Sequence, residues 1–276
     1  MAIQLIALDI DGTLLNSRNE LTGPTLDALQ RAADRGIHTV LGTGRMVSEC
    51  RELLTRLPMI RYAVTCTGTQ VVDVKTGETL FRRSLTAQEL RQLCARVADL
   101  DVMLQIFDDR DGLIHNDAAM LAHAERFCRP ELARAMQQCH GAEPDFAAYL
   151  RDFEGPTNKL HMFFGNPADK AEAIRRLSGT PYYMSESHKL DLELMPPGVD
   201  KGVGVMALAG LLGLDRGQVM AIGDGGNDVG MLRCAGLAVA MGNGSAEAKA
   251  AAHRIAPDND HDGAAAAILQ MLEETT

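Results

Sequence analysis

Leu5-Ile6-Ala7-Leu8-Asp9-Ile10-Asp11-Gly12-Thr13 decides the fold. Four apolar residues in a row read as a strand buried on both faces, and the run stops at two carboxylates one residue apart. Charge at the end of a buried strand is costly unless something there uses it. In open α/β sheets that edge is where ligands bind. A second strand-like run, Val219 to Ile222, ends the same way, in Gly223-Asp224-Gly225-Gly226-Asn227-Asp228. Two strand-end acidic clusters from opposite ends of the chain point to one metal-and-phosphate site.

The segments around these runs alternate between strand and helix. Pro24 opens a helical pattern through Leu26 and Leu29 that Gly36 closes, and Ile37 to Leu41 is the next strand, ending in Gly42-Thr43-Gly44-Arg45. A helix through Leu53-Leu54 and a strand from Tyr62 to Cys66 follow, so the expected class is α/β with a doubly wound parallel sheet. Near residue 70 the rhythm changes. Val71–Val74 and Thr79–Arg83 flank a turn and predict a hairpin. A helix near 88–98, strands near 102–107, 159–164 and 182–186, helical segments within 117–139 and a helix over 167–178 predict an α+β insert. From Leu190 the reading returns to the parallel core. It takes a strand to Leu194, a helix to about Leu212, the strand 219–222, a helix through Met231-Leu232, the strand 237–240 and a last helix near 263–273.

The chain has 276 residues, 46% of them hydrophobic, with no Trp and a formal net charge of -10. That charge disfavours nucleic acid, whose affinity comes largely from Lys and Arg on phosphates. It also disfavours an anionic membrane surface. No Cys-x-x-Cys occurs among the six cysteines, no signal peptide is read at the N-terminus, and the longest apolar stretch, Gly202 to Leu214, is too short to span a bilayer. These features fit a protein of the reducing cytoplasm. No Gly-x-Gly-x-x-Gly follows a strand, so dinucleotide binding has no support.

Asp9 and Asp11 are two apart, the strand period, and can face one cleft while Ile10 points inward. A carboxylate can attack phosphorus to give an aspartyl-phosphate. The obstacle is charge: a carboxylate and one phosphoryl charge at ~4 Å repel by about 4 kcal/mol at an effective dielectric near 20. Mg2+ and a positive side chain relieve it, with Asp224 and Asp228 able to hold the cation and Lys201 to supply the charge. Thr43 and the backbone N–H groups around Gly44, at a strand end before a helix, can cradle phosphate oxygens. Asp11 is then free to protonate the leaving oxygen and activate water.

In order and spacing, Asp9-x-Asp11-Gly12-Thr13, Thr43-Gly44-Arg45, Lys201-Gly202 and Gly223-Asp224-x-x-Asn227-Asp228 resemble the four motifs of the haloacid dehalogenase superfamily of phosphatases. The stretches Glu193 to Gly202 and Val239-Ala240-Met241-Gly242-Asn243 are similar to its Cof-type subfamily, which carries a large α/β cap between the second and third motifs. The resemblance implies a catalytic core of residues 1–82 and 188–276 and a cap of 83–187. It implies Asp9 as nucleophile and Asp11 as general acid/base. Mg2+ would be bound by Asp9, the backbone carbonyl of Asp11 and Asp224, with Asp228 in or near its outer shell. Thr43 and Lys201 would bind the phosphoryl group and Asn227 would position phosphate or Lys201. Many relatives carry Asn-Gly where this chain has Thr67-Gly68, near the substrate entrance, so substrate identity does not carry over.

Other readings compete. Asp9-x-Asp11-Gly12 also begins like a calcium loop, with Glu20 at the twelfth position, but Leu14 occupies the place needing Gly. Asp258-x-Asp260-x-Asp262-Gly263 lacks the twelfth-position Glu and reads as a solvated loop capping the last helix. Arg45 divides between a substrate contact and an ion pair, and His161 and His188 read as structural. The function expected is a Mg2+-dependent phosphatase of small phosphorylated metabolites, such as sugar or cofactor phosphates, acting as monomer or homodimer. A phosphomutase of sugar phosphates is the alternative, and an Asp-phosphorylated receiver module the rival of another class.

Overall fold

The computed structural model describes residues 2–108, 112–187 and 189–274. His188 and the middle of the polar run 108–112 lie outside them. Fourteen strands occur among the described residues: β1 (Leu5–Leu8), β2 (His38–Gly42), β3 (Tyr62–Thr65), β4 (Gln70–Asp73), β5 (Glu78–Arg82), β6 (Val102–Asp108), β7 (Leu113–Asp117), β8 (Gly141–Glu143), β9 (Thr157–Phe164), β10 (Tyr183–Ser185), β11 (Asp191–Met195), β12 (Val219–Gly223), β13 (Leu237–Ala240) and β14 (Arg254–Ile255). They form two sheets in two compact units, residues 1–82 with 199–276, and residues 83–198.

The first unit holds an eight-stranded sheet in the order β14-β13-β12-β1-β2-β3-β4-β5. The strands from β14 to β3 are parallel, and β4 and β5 are antiparallel additions. Both faces are covered, which is why β1 reads as an unbroken apolar run. Ile6 and Leu8 pack with Leu29, Leu41 and Ile268 on one side, while Leu5 and Ala7 pack with Val40, Val64 and Leu208 on the other. Chain order runs away from β1 in both directions, to β2 and β3 on one side and to β12 and β13 on the other. The carboxyl end of β1 is therefore a topological switch point, where a crevice opens in such sheets.

The helices start where local chemistry places them. Thr22 caps Gly23–Asp34 through its hydroxyl, Pro24 sits in the first turn, and Gly36 (φ +75°) reverses the chain afterwards. Asp200 caps Lys201–Leu211 by accepting from Val203 N at 2.9 Å.

The second unit is α+β. Its sheet runs β10-β11-β9-β6-β7-β8, antiparallel except for β7 with β8. Leu160 and Phe164 of β9 pack under helices Ala87–Val97 and Pro167–Leu177 through Leu90, Leu93 and Ala173. Phe163, on the opposite face by the strand alternation, joins Leu121, Phe127 and Met136. That face also carries a buried ion pair, Lys159 Nζ to Glu193 Oε1 at 2.6 Å, and His161 Nε2 lies 2.9 Å from Asp191 Oδ2. His161 is thus a satisfied structural histidine.

One boundary differs from the expectation. The sequence pattern predicts residues 188–198 in the parallel core, but β11 pairs antiparallel with β9 and β10 in the second sheet, and the units divide between Gly198 and Val199. The alternating Asp191-Leu192-Glu193-Leu194 carried the signal, since period-two alternation belongs to antiparallel pairing more than to a doubly covered parallel strand.

Candidate active site

All of the expected site residues lie in the first unit, at the carboxyl ends of β1, β2 and β12 and at the start of helix Lys201–Leu211. Asp9 is buried and its backbone N–H continues the β1–β12 ladder to Ile222 O at 3.0 Å. Lys201 is fully buried and donates from Nζ to Asp9 Oδ1 at 2.8 Å and to Asp228 Oδ1 at 2.7 Å. A cation in the first turn of a helix opposes the dipole, so its position depends on those two carboxylates. Asp228 Oδ2 accepts from Asp224 N at 2.9 Å and Gly225 N at 2.8 Å, which folds the acidic turn back on itself. Asp9, Asp224 and Asp228 each offer an oxygen within 4.8 Å of the others. Three hard oxygen donors this close suit Mg2+, which takes oxygen ligands.

Charge balance shows in the protonation of the cluster. Burial, with Asp228 and Asp224 beside it, pushes Asp9 well above the ordinary carboxylate range, against the pull of Lys201. Burial and the Asp228 charge push Asp224 up to about 6, opposed by a hydrogen bond from Thr13. Burial alone would depress Lys201, but the Asp228 and Asp9 carboxylates outweigh it and hold its ammonium above the usual value. One ammonium bridges two of three clustered carboxylates, and a divalent cation would complete the balance.

Asp11 takes a different direction. Its carboxylate is paired with Arg45 on both oxygens, Nε to Oδ2 at 2.9 Å and Nη2 to Oδ1, and it is not one of the three clustered oxygens. Of the two readings of Arg45, the ion pair is the one present here. Burial works against the guanidinium charge, but the hydrogen bonds and charge of Asp11 raise it above its usual value. The contribution to a metal expected from Asp11 is its backbone carbonyl, not the carboxylate that Arg45 holds.

Thr43 is buried at the end of β2, and its hydroxyl accepts from Arg45 N at 3.1 Å. Gly44 lies in the turn that follows. The helix expected through Leu53-Leu54 is Arg51–Arg56, and a 3-10 turn over Val47–Cys50 precedes it, so the dipole of a long helix does not aim at Gly44. Asn227 is half-buried, with Oδ1 lying 2.5 Å from where a Cβ on Gly225 would stand.

Two features gain a structural reason that the sequence does not give. Thr13 is buried and its Oγ1 donates to Asp224 Oδ1 at 2.9 Å, tying the two acidic segments together. The turn Cys66-Thr67-Gly68 has three consecutive positive φ angles of 49°, 58° and 95°. A Cβ on Gly68 would strike the Asp200 carbonyl, so this turn sits directly against the start of the Lys201 helix. Left-handed conformations favour Asn and Gly, so Thr67 holds a backbone that a β-branched residue adopts at a cost.

Asp258, Asp260 and Asp262 make no cation cage. Asp258 accepts from Asp260 N, Asp260 from Ser17 N and Asp262 from Thr22 Oγ1, in a loop just ahead of helix Gly263–Glu274. Among the described residues no helix is long and apolar enough to cross a membrane.

A parallel sheet with acidic loops at its switch point and a buried Lys–Asp pair defines the class. The haloacid dehalogenase-like hydrolase family matches residues 6–268, and the chain belongs to it and is a phosphatase hydrolase. It is 31% identical to the HMP-PP phosphatase of Cronobacter sakazakii over 87% of this chain and 84% of that protein. It is 27% identical to the 5-amino-6-(5-phospho-D-ribitylamino)uracil phosphatase YcsE of Bacillus subtilis, over 98% of this chain and 96% of that one. A solved haloacid dehalogenase-like hydrolase from Bacteroides thetaiotaomicron, 28% identical, superimposes with a TM-score of 0.81 over 98% of this chain and 99% of that one.

Proposed function

We propose that the chain is a Mg2+-dependent phosphomonoesterase of small phosphorylated metabolites that works through an aspartyl-phosphate on Asp9. The observation that carries this reading is the buried Lys201 ammonium bridging Asp9 and Asp228 inside a three-carboxylate cluster. An ordinary ion pair needs one carboxylate, whereas a site for a cation and a phosphoryl group needs this surplus of oxygens beside a fixed positive charge.

Asp9 and Asp224 would hold the metal with the Asp11 backbone carbonyl, Asp228 standing in or near its outer shell, and a bound Mg2+ would supply the positive charge that lets an anion approach a phosphate. Asp9 attacks phosphorus, a P–O bond forms, and the bond to the leaving oxygen breaks. Asp11 gives that oxygen its proton. Asp11 then takes a proton from water, which attacks the same phosphorus and frees phosphate and Asp9. Thr43, the Gly44 backbone and Lys201 would hold the phosphoryl oxygens, with Asn227 orienting phosphate or Lys201. Arg45, which holds Asp11 here, is placed to contact substrate once Asp11 turns inward.

The substrate in the name of the Bacillus subtilis relative carries its phosphate on a ribityl chain joined to a uracil, so phosphates on a heterocyclic skeleton rank beside sugar phosphates. The second unit would act as the cap that excludes water and reads the leaving group. The net charge of -10 argues against nucleic acid as a partner, and six free cysteines fit a reducing cytoplasm. A panel of phosphorylated metabolites, assayed for phosphate release with and without chelator, tests the reading. Release should need the metal, and Asp9→Asn should abolish it with the fold intact. Phosphate release retained by Asp9→Asn would refute the role of Asp9.

A further inference from the structure

β1 and β12 are held together by their ladder up to Asp9, but both acidic segments then leave the sheet. Beyond that point Thr13 Oγ1 ties them directly through Asp224 Oδ1 and Lys201 bridges Asp9 and Asp228, and a third loop, Met241 to Ser245, which follows β13, grips the backbone of both. Ser245 N donates to the Asp224 carbonyl at 2.8 Å. Two residues earlier, Asn243 Nδ2 donates to the Gly12 carbonyl at 2.8 Å. Asn243 is itself held, since its Oδ1 accepts from Asn259 N at 3.0 Å, and Asn259 Nδ2 donates to the Leu15 carbonyl at 2.9 Å. The loop fits closely: a Cβ on Gly244 would stand 3.1 Å from the Asp224 carbonyl, and one on Gly12 would stand 2.5 Å from Asp224 Oδ2.

We propose that Asn243, held by Asn259, is a positioning residue that sets the separation of the Asp9–Thr13 segment from Asp224 and thereby the affinity of the acidic cluster for a divalent cation. It touches neither the metal oxygens nor the phosphoryl site. One short loop grips both acidic segments, one through a backbone N–H and the other through a side-chain amide. Mg2+ accepts little deviation from octahedral geometry, so a small drift of one segment is felt in binding. The proposal rests on the reading of the cluster as a cation site.

Calorimetric titration of the metal-free protein with Mg2+ tests it, with thermal melting in chelator alongside. Asn243→Ala should weaken Mg2+ binding by about tenfold, the lower end for residues that orient metal ligands, because this hydrogen bond is exposed. Asn259→Ala should shift it in the same direction by less. The double variant should be no weaker than Asn243→Ala alone, since both act through one chain of contacts. Metal-free melting should move little, and phosphate release at saturating Mg2+ should stay close to wild type. Unchanged Mg2+ affinity in both single variants, or a fall in metal-free melting with affinity preserved, would overturn the positioning role. Wild-type protein that binds no Mg2+ would instead remove the cation-site reading, and this proposal with it.

Discussion

Replacing Lys201 by Met removes the one ammonium from a cluster of three carboxylates while keeping the length and apolar stem of the side chain. In the native protein Nζ lies 2.8 Å from Asp9 and 2.7 Å from Asp228, and the Lys201 and Asp228 side chains have no exposed surface. Removing one partner of a buried pair costs about 3–5 kcal/mol. Repulsion gives an independent figure: two carboxylates 4.8 Å apart or less repel by at least ~3 kcal/mol at an effective dielectric near 20. The folded variant can relieve this only by taking up protons. Its carboxylates then titrate above their unfolded values, so stability is present at low pH and lost as pH rises through the folded pKa. Lys201→Met should therefore lose about 3–5 kcal/mol at pH 7.5 in chelator and clearly less at pH 5, measured by urea unfolding at both. Phosphate release should be abolished at either pH. A loss below about 1 kcal/mol at pH 7.5, equal to that at pH 5, would refute the buried-cluster reasoning.

Asp224, pushed up to about 6 by burial and Asp228, gives the metal-free protein a pH signature of its own. Its folded pKa is raised, so its contribution favours the folded state at low pH and declines as pH rises from about 4 to 6, while Mg2+ affinity rises across the same window. Melting curves at several pH values, with chelator and with excess Mg2+, should diverge progressively above pH 5; parallel curves would contradict this. Thr67 holds a left-handed backbone at φ 58° in a fully buried turn, which costs a β-branched residue about 1–2 kcal/mol. Thr67→Asn should stabilise the protein by about 1 kcal/mol, read as a higher urea midpoint, and a lower midpoint would show that buried contacts of the Thr side chain outweigh the relief.

The parts of the fold that could be read from the sequence are those whose burial is two-sided. β1, β12 and β13 are continuous apolar runs because helices cover both faces, and their ends are marked by Asp, Gly and Asn. β7 and β8 escaped because they are short and sit in a polar, partly helical stretch, where local composition does not reveal pairing partners. β11 was assigned to the wrong sheet because a strand assignment does not say which sheet completes it. At the site, Asp9, Asp224, Asp228 and Lys201 were legible as charges stranded at the ends of apolar elements. The bridging contacts of Thr13, Asn243 and Asn259 were not, since a hydroxyl or amide that joins segments over two hundred positions apart leaves no periodic mark. The Asp11–Arg45 ion pair is one of the two readings that the sequence leaves open for Arg45, and the structure contains it.

The most direct test of the account asks where the phosphoryl group goes. Enzyme mixed with a good substrate and Mg2+ would be quenched in acid within one turnover and reduced with borohydride, which converts an aspartyl-phosphate to homoserine. Peptide mass spectrometry then locates the modified residue. The account predicts homoserine at position 9, with Asp11, Asp224 and Asp228 unaltered. Modification at any of those three, or phosphate released with position 9 unchanged at every quench time, would contradict it.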